Sequence, residues 1–284
     1  MKIAVTGATG QLGHHIINHL LELGTSPSDI YAIARRPEKA QDLKTKDIHV
    51  VYGDYSKPET MTEALKGIDK LMLVSGSEVG QRVTQHKAII DAAKANGVRF
   101  IAYTSLLKAD DSELALADEH RITEKMVKES GIDYSFLRNG WYSENYLSQL
   151  PIYLETGVIL GSAKEGKYSA APRTAYALAA AKVLTQVESP KNIYELASDY
   201  HFTLSELASE ISKVAGKEVL YINLPEKEYT EKLISFNVPG PFAEILANSD
   251  AKAAKGDLYS NSTDLTDLIG RKVTPLKEQI KSFL

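Results

Sequence analysis

Three glycines follow the first apolar run of the chain at the spacing of a phosphate-binding turn. Gly7, Gly10 and Gly13 stand between the apolar residues 2–5 and a segment with helical periodicity. In such a turn the first glycine permits a sharp bend, the second lets the backbone approach a pyrophosphate, and the third lets the helix pack closely on the sheet. The N–H groups at the start of the helix add a favourable field for phosphate.

This turn predicts a dinucleotide site, and the alternative is an ordinary tight turn, since glycine turns are common. A P-loop is excluded, because no Gly-Lys-Ser/Thr sequence follows the glycines. The predicted coenzyme-binding residues of the loop are Gly7, Ala8, Thr9, Gly10, Gln11, Leu12 and Gly13.

The residue after the second apolar run indicates which dinucleotide is bound. An acidic side chain at this place would bind the ribose 2′-hydroxyl of NAD. The chain instead has Arg35, followed by Arg36 and Pro37. A guanidinium is permanently charged and can bind a 2′-phosphate through two hydrogen bonds. We therefore predict NADPH as the coenzyme, with Arg35 as the preferred phosphate ligand and Arg36 as the second choice. The alternative is two solvated arginines.

Two further segments follow apolar runs and are candidates for the same site. Asp54 either accepts a hydrogen bond from the adenine amino group or caps a turn or helix. Ser75, Gly76 and Ser77 come after the buried run at residues 70–74. Because ligands of open α/β sheets bind at the carboxyl ends of the strands, small residues there would let the chain pass close to the ribose and nicotinamide.

The composition excludes several other kinds of chemistry. The 284 residues include no cysteine, which rules out disulfides, thiolate nucleophiles and cysteine-bound metals. The net charge of −4 disfavours nucleic acid as a partner and favours small molecules. No apolar run approaches the roughly 18–20 residues needed to span a bilayer, so no membrane insertion is expected. The start of the chain lacks the apolar run of a signal peptide, and we expect a cytoplasmic protein.

Short apolar runs alternate with longer periodic segments up to Asn139. Strands are predicted at residues 2–5, 30–34, 49–52, 70–74, 99–103 and 133–137, and helices at residues 11–23, 81–96 and 118–130, with shorter helices opened by Pro37 and Pro58. This alternation predicts βαβ units with right-handed crossovers. The expected fold class is α/β, a Rossmann-type doubly wound parallel sheet.

The alternation is less regular after Asn139. We predict a helix at residues 174–187, a strand at 192–197, a helix at 204–214 with Thr203 as its N-cap, a strand at 219–222 and short helices after Glu226. The expected organisation is an NADPH-binding Rossmann domain at residues 1–149 and a smaller α+β lobe on the substrate side at residues 150–284. Part of residues 174–197 is expected to return to the Rossmann sheet.

Three longer stretches carry a family resemblance. They read Ser-Glu-Val-Gly-Gln-Arg at residues 77–82, Ile-Ala-Tyr-Thr-Ser-Leu-Leu at residues 101–107, and Leu-Arg-Asn-Gly-Trp-Tyr-Ser-Glu-Asn-Tyr-Leu at residues 137–147. With the glycine loop, they resemble the NmrA-like branch of the atypical short-chain dehydrogenases/reductases. Within that family these stretches resemble the bacterial type 2 NAD(P)H:quinone oxidoreductases and, more distantly, the triphenylmethane reductases. The resemblance extends across nearly the whole chain.

The resemblance implies that four segments line the NADPH site: residues 7–12, Arg35, residues 75–77 and residues 139–144. The last segment comprises Asn139, Gly140, Trp141, Tyr142, Ser143 and Glu144. Trp141 and Tyr142 would flank the nicotinamide or a flat acceptor by stacking, and Asn145 and Arg173 would complete the substrate side. As alternatives, the two aromatic residues cover the seam between the lobes and Arg173 is a surface residue.

The chain departs from the superfamily in its proton donor. The usual donor is a Tyr-x-x-x-Lys pair, yet none of the 15 tyrosines is followed four residues later by lysine. In the expected helix His120 stands at a plausible tyrosine position and Glu124 at that of the lysine. This departure disfavours reduction of simple ketones. Hydride addition to a quinone gives a phenolate-like anion whose conjugate acid has a pKa of about 10, so water can supply its proton.

The predicted function is therefore hydride transfer from NADPH to a quinone or a similar electron-poor aromatic acceptor. His120 and Tyr142 are the candidate catalytic residues, with a structural histidine as the alternative for His120. No metal or flavin is expected, although His15 and His19 share a helix face. The alternative function is that of a non-catalytic dinucleotide sensor that regulates a partner. The sequence leaves the oligomeric state open, with a homodimer among the alternatives.

Overall fold

The structure is a computed structural model that describes residues 1–186, 188 and 190–284. The predicted end of a helix at Val187 lies outside the described residues. The chain forms two compact units. The first comprises Met1–Ala109, Asp118–Asn139 and Arg173–Tyr194, and the second comprises Asp110–Ala117, Gly140–Pro172 and Glu195–Leu284.

The strands of the described residues form two sheets. The strands are β1 (Ile3–Val5), β2 (Ile30–Ala34), β3 (His49–Tyr52), β4 (Lys70–Leu73), β5 (Phe100–Leu106), β6 (Asp133–Asn139), β7 (Val158–Gly161), β8 (Ile193–Leu196) and β9 (Leu220–Asn223). The larger sheet has the order β3-β2-β1-β4-β5-β6-β8, and the smaller one pairs β7 with β9. This arrangement, with helices on both sides of the larger sheet, confirms the predicted Rossmann-type α/β class.

The helices predicted at residues 11–23, 81–96, 118–130 and 204–214 are each present to within one residue at either end. The helices at residues 144–147 and 150–156 were not predicted, and Pro37 begins a short 3-10 helix before an α-helix at residues 41–44. The described residues form thirteen α-helices. They are α1 (Gln11–Glu22), α2 (Gln41–Lys44), α3 (Pro58–Ala64), α4 (Arg82–Ala95), α5 (Ala117–Ser130), α6 (Glu144–Leu147), α7 (Leu150–Thr156), α8 (Arg173–Thr185), α9 (Leu204–Ala215), α10 (Glu226–Ser235), α11 (Gly240–Ala253), α12 (Asp264–Ile269) and α13 (Leu276–Phe283). Among the described residues, no helix has the length and apolar character needed to cross a bilayer.

The order of the larger sheet places a switch point between β1 and β4. β1 pairs in parallel with β2 on one side and with β4 on the other. Strands β2 and β3 lie on one side of β1, and strands β4, β5, β6 and β8 lie on its other side. At such a point the connections leave towards opposite faces of the sheet, so the carboxyl ends of the two neighbouring strands border an open crevice.

Helices cover both faces of this sheet because successive strand residues point to opposite sides. On one face Ala4, Ile33, Leu71 and Ile101 form a buried core with residues of α3, α4 and α5. On the other face α1 packs against α8, and α8 contacts β4, β5 and β6. The many buried alanines of α8 let it lie close to its neighbours.

The second unit has its own small core. Its two-stranded sheet is parallel, with Val158 opposite Leu220. Thr203 and Glu206 form a capping box at the start of α9, which confirms Thr203 as the predicted N-cap. At the centre, the buried carboxylate of Asp250 accepts hydrogen bonds from the Tyr168 hydroxyl at 2.8 Å and the Ser162 backbone N–H at 3.0 Å.

Candidate functional site

The glycine loop has the geometry that its sequence predicts. Gly7 lies directly beyond β1 with a φ of +60°, a left-handed conformation that favours glycine. The Gly10 N–H donates to the Gly7 carbonyl at 2.9 Å and closes the turn. A Cβ atom on Gly13 would lie 2.4 Å from that same carbonyl oxygen. Helix α1 can therefore follow the turn this closely only because residue 13 has no side chain.

The N-terminus of α1 presents backbone donors at the switch point. No side chain of the described residues caps this helix at Gly10. Thr9, Gly10 and Gln11 are exposed, whereas Ala8 and Leu12 are buried and fix the loop to the sheet. The first N–H groups of an α-helix have no partner within the helix, and together with its dipole they favour a phosphate. The loop thus has the form of a pyrophosphate cradle.

Arg35 follows β2 at the same edge of the sheet. Its side chain is more than half exposed, and its Nη1 lies 2.5 Å from Oε1 of Glu78. The hydrogen bond to Glu78, with the charge of that carboxylate, raises the pKa of Arg35 above its ordinary value. The same hydrogen bond lowers the pKa of Glu78. Asp54 accepts a hydrogen bond from Ser56 N–H at 3.0 Å, which fits the turn alternative for that residue.

Side chains from neighbouring elements hold the segment after β4 in place. The Ser75 N–H donates to Oγ1 of Thr104 at 2.8 Å, at the end of β5. The Gly76 N–H donates to Nε2 of His86 at 3.0 Å, and Nε of Arg82 donates to the Gly76 carbonyl at 2.6 Å. His86 and Arg82 are buried and lie one turn apart on α4. The conformation of residues 75–77 is therefore set by groups outside the segment.

The hydrogen bonds of His86 are compatible with only one state of its imidazole, the neutral tautomer that is protonated on Nδ1. Its Nε2 must be unprotonated, since the backbone N–H of Gly76 can only donate. Thr123 donates its hydroxyl hydrogen to the Glu119 carbonyl, so it accepts from Nδ1–H of His86 at 3.0 Å. Burial, with a smaller contribution from the Arg82 cation, lowers the pKa of His86 to about 3. A neutral imidazole is thus a fixed part of the site.

The candidate catalytic residue His120 is a second buried histidine. Its Nδ1 lies 2.7 Å from the Tyr103 hydroxyl. Burial, with smaller contributions from Arg82 and His86, lowers the pKa of His120 well below its ordinary value. Burial also raises the pKa of Tyr103. At neutral pH this pair is therefore uncharged, and His120 is not an imidazolium acid.

Glu124, at the position of the superfamily lysine, belongs to a buried ion pair. Its carboxylate accepts from Nε and Nη2 of Arg138 at 2.9 Å and 2.7 Å. Ser105 donates to the same carboxylate at 2.6 Å. Both charged side chains are 3% exposed. Since an unpaired charge there would be costly, these residues form a buried structural unit.

The predicted residues 139–145 continue from β6 into the second unit. Asn139 is buried at the end of β6 and its carbonyl accepts from the Leu107 N–H at 3.0 Å. Within the second unit, Tyr142 forms a parallel bridge with Ala171, and Trp141 and Tyr142 are half-buried. Gly140 and Ser143 are buried, and Glu144 begins α6 with Asn145 beside it. Arg173, in the first unit, is the first residue of α8.

The structure adds residues that the sequence pattern misses. Residues 7–13, Arg35 and residues 75–77 are brought together by the neighbouring strands β2, β1 and β4 of the first unit. His86, Arg82 and Glu78 contact these segments but were not predicted as site residues. One signal could have found two of them: Arg82 and His86 extend the buried stripe of Ile89 and Ala93 along α4 at helical spacing.

A parallel sheet with a glycine turn at its switch point and an arginine after the second strand defines a Rossmann-type dinucleotide-binding protein. The chain belongs to the NmrA-like family, whose model matches residues 1–281. It is 51% identical to quinone oxidoreductase 2 of Escherichia coli (strain K12) over 279 residues, covering 98% of this chain and 97% of that protein.

Two solved structures have the same fold over the whole chain. The crystal structure of the NADPH-dependent quinone oxidoreductase from Escherichia coli complexed with NADPH has a TM-score of 0.96, at 50% identity over 99% of each chain. The triphenylmethane reductase of Citrobacter sp. complexed with NADP(H) has a TM-score of 0.95, at 40% identity over 100% of each chain. These similarities confirm the family resemblance found in the sequence.

Proposed function

We propose that this protein is an NADPH-dependent reductase that transfers a hydride to a quinone or a similar electron-poor aromatic acceptor. The observation that carries the proposal is the cradle at the switch point, where Gly13 brings α1 against the Gly7 carbonyl. This cradle occurs in a chain half identical to an enzyme crystallised with NADPH. The similar proteins are a quinone oxidoreductase and a triphenylmethane reductase, which favours an enzyme over a non-catalytic sensor.

The residues of the first unit fit NADPH. The exposed N–H groups at the start of α1 would hold the pyrophosphate, and the Arg35 guanidinium would hold the 2′-phosphate. Residues 75–77, fixed by Thr104, Arg82 and His86, would lie along the ribose and nicotinamide side. Residues 139–144 complete the proposed coenzyme site, as the family resemblance implies.

NADPH, when bound, supplies the hydride. The protein's own contribution is to hold the acceptor in position, which can account for most of a rate enhancement. His120 is neutral, so its proposed role is to orient the acceptor by a hydrogen bond, and Tyr142 is the second candidate for this role. Trp141, Tyr142, Asn145 and Arg173 are the proposed acceptor-binding residues. The anion formed from a quinone takes its proton from water, since its conjugate acid has a pKa of about 10.

The test measures the loss of reduced-nicotinamide absorbance when purified protein receives NADPH and a soluble benzoquinone. We expect acceptor-dependent oxidation above the rate without protein. Calorimetry with NADPH runs in parallel. Binding without acceptor-dependent turnover would support the sensor instead, and absence of both binding and turnover would overturn the proposal altogether.

The proposed partner is a small aromatic molecule. We place the reaction in the cytoplasm, where metabolism regenerates the reduced coenzyme. Light scattering on the purified protein distinguishes a monomer from a homodimer.

A further inference from the structure

The side chain proposed to bind the 2′-phosphate already contacts an anion of its own chain. Glu78, one residue beyond the segment 75–77, places Oε1 at 2.5 Å from Nη1 of Arg35. Both side chains are partly exposed, at 55% for Arg35 and 42% for Glu78. A coenzyme phosphate therefore meets a guanidinium that is paired with a carboxylate.

Glu78 is held on its other oxygen as well. Its Oε2 accepts from Nε2 of Gln85 at 2.8 Å. Gln85 is buried on α4, and its Nε2 also lies within 3.3 Å of Oγ of Ser56. Glu78 thus points at Arg35 because a buried residue fixes it there, which distinguishes it from a mobile surface glutamate.

We propose that Glu78 sets the coenzyme preference by competing with the 2′-phosphate for Arg35. The inference rests on the proposed NADPH-dependent function. A phosphate must displace the carboxylate and then remains close to its negative charge, which weakens NADPH binding. A coenzyme without that phosphate meets no such repulsion, and its ribose 2′-hydroxyl can donate to a carboxylate, as in NAD-specific sites of this fold. Glu78 therefore lowers the ratio of the affinity for NADPH to the affinity for NADH.

The test uses binding of the oxidised coenzymes, so that no turnover is involved. Dissociation constants for NADP⁺ and NAD⁺ are measured by calorimetry on the full chain and on Glu78→Gln, which keeps the shape of the side chain and removes its charge. We expect NADP⁺ to bind roughly three- to tenfold more tightly to the variant, as the loss of a partly exposed ion pair and its repulsion implies. NAD⁺ binding should stay the same or weaken.

Two further variants control the result. Glu63→Gln removes a carboxylate that is likewise paired with a cation, Lys66, but is more exposed, and it should leave both constants unchanged. In an Arg35→Gln background, Glu78→Gln should improve NADP⁺ binding by less than about twofold, because the competition needs Arg35. Unchanged or weaker NADP⁺ binding to Glu78→Gln would overturn the inference about Glu78 and leave the proposed function intact. Failure of the unsubstituted protein to bind either dinucleotide would overturn the proposed function.

Discussion

At the scale of the residue, His86 shows how one buried side chain can hold a backbone segment in place. Its two ring nitrogens join the Gly76 backbone to the Thr123 hydroxyl, and the imidazole is fully buried. In that setting an unpaired N–H or hydroxyl costs about 1–3 kcal/mol. The position of residues 75–77 is therefore linked to a buried side chain of α4.

Replacing His86 by leucine should uncouple this segment from α4. We expect the free energy of unfolding to fall by roughly 2–4 kcal/mol, since the Gly76 N–H and the Thr123 hydroxyl both lose a partner. Amide hydrogen exchange at residues 75–77 should accelerate, and NADPH binding should weaken. His201→Leu, at an exposed histidine, is the matched control. Unaltered exchange at Gly76 in a folded His86→Leu protein would show that His86 does not position the segment.

At the scale of the element, the approach of α1 to the sheet depends on one missing Cβ. In Gly13→Ala the new methyl group would meet the Gly7 carbonyl oxygen and carbon at 2.4 Å and 2.8 Å. Alanine favours a helix by only about 1 kcal/mol over glycine, so the clash should dominate. We expect a loss of roughly 1–3 kcal/mol in unfolding free energy and at least tenfold weaker NADPH binding, because the turn must shift.

Gly240 offers the control for this substitution. It begins α11, and a Cβ there would meet no atom within 4 Å. Gly240→Ala should therefore leave coenzyme binding unchanged and stabilise the protein slightly. If both variants bind NADPH as the unsubstituted protein does, the close approach of α1 is not needed for the site.

The elements differ in how far their sequence alone reveals them. The glycine loop was predictable because its requirements are local, with each glycine serving the backbone of the same turn. Thr203 was predictable for the same reason, as it caps its own helix. For His86 the helical spacing indicates a buried residue but not its role, because its partners lie 10 and 37 residues away in sequence. A polar residue on an otherwise apolar helix face carries no local sign of the backbone that it binds.

At the scale of the whole molecule, buried neutral histidines make the free energy of unfolding depend on pH. The pKa of His86 is lowered to about 3 in the folded chain, from an ordinary value near 6.5. Above about pH 6.5 His86 is neutral in both the folded and the unfolded chain, so it adds no pH dependence to the free energy of unfolding. Between the two values the unfolded chain binds a proton that the folded chain does not, so stability falls as the pH falls. His120 acts in the same direction.

The contribution of His86 can be isolated by comparison with His86→Gln, whose side chain does not titrate. Asp250, whose pKa is raised by burial, has the opposite sign, but it is present in both proteins and cancels in the difference. We expect the stability advantage of the unsubstituted protein to shrink by at most about 1.4 kcal/mol per pH unit between pH values of roughly 6 and 4. Urea unfolding at a series of pH values measures this difference. Parallel stability curves would mean that His86 accepts a proton in the folded protein, and the neutral bridge to Gly76 would then be wrong.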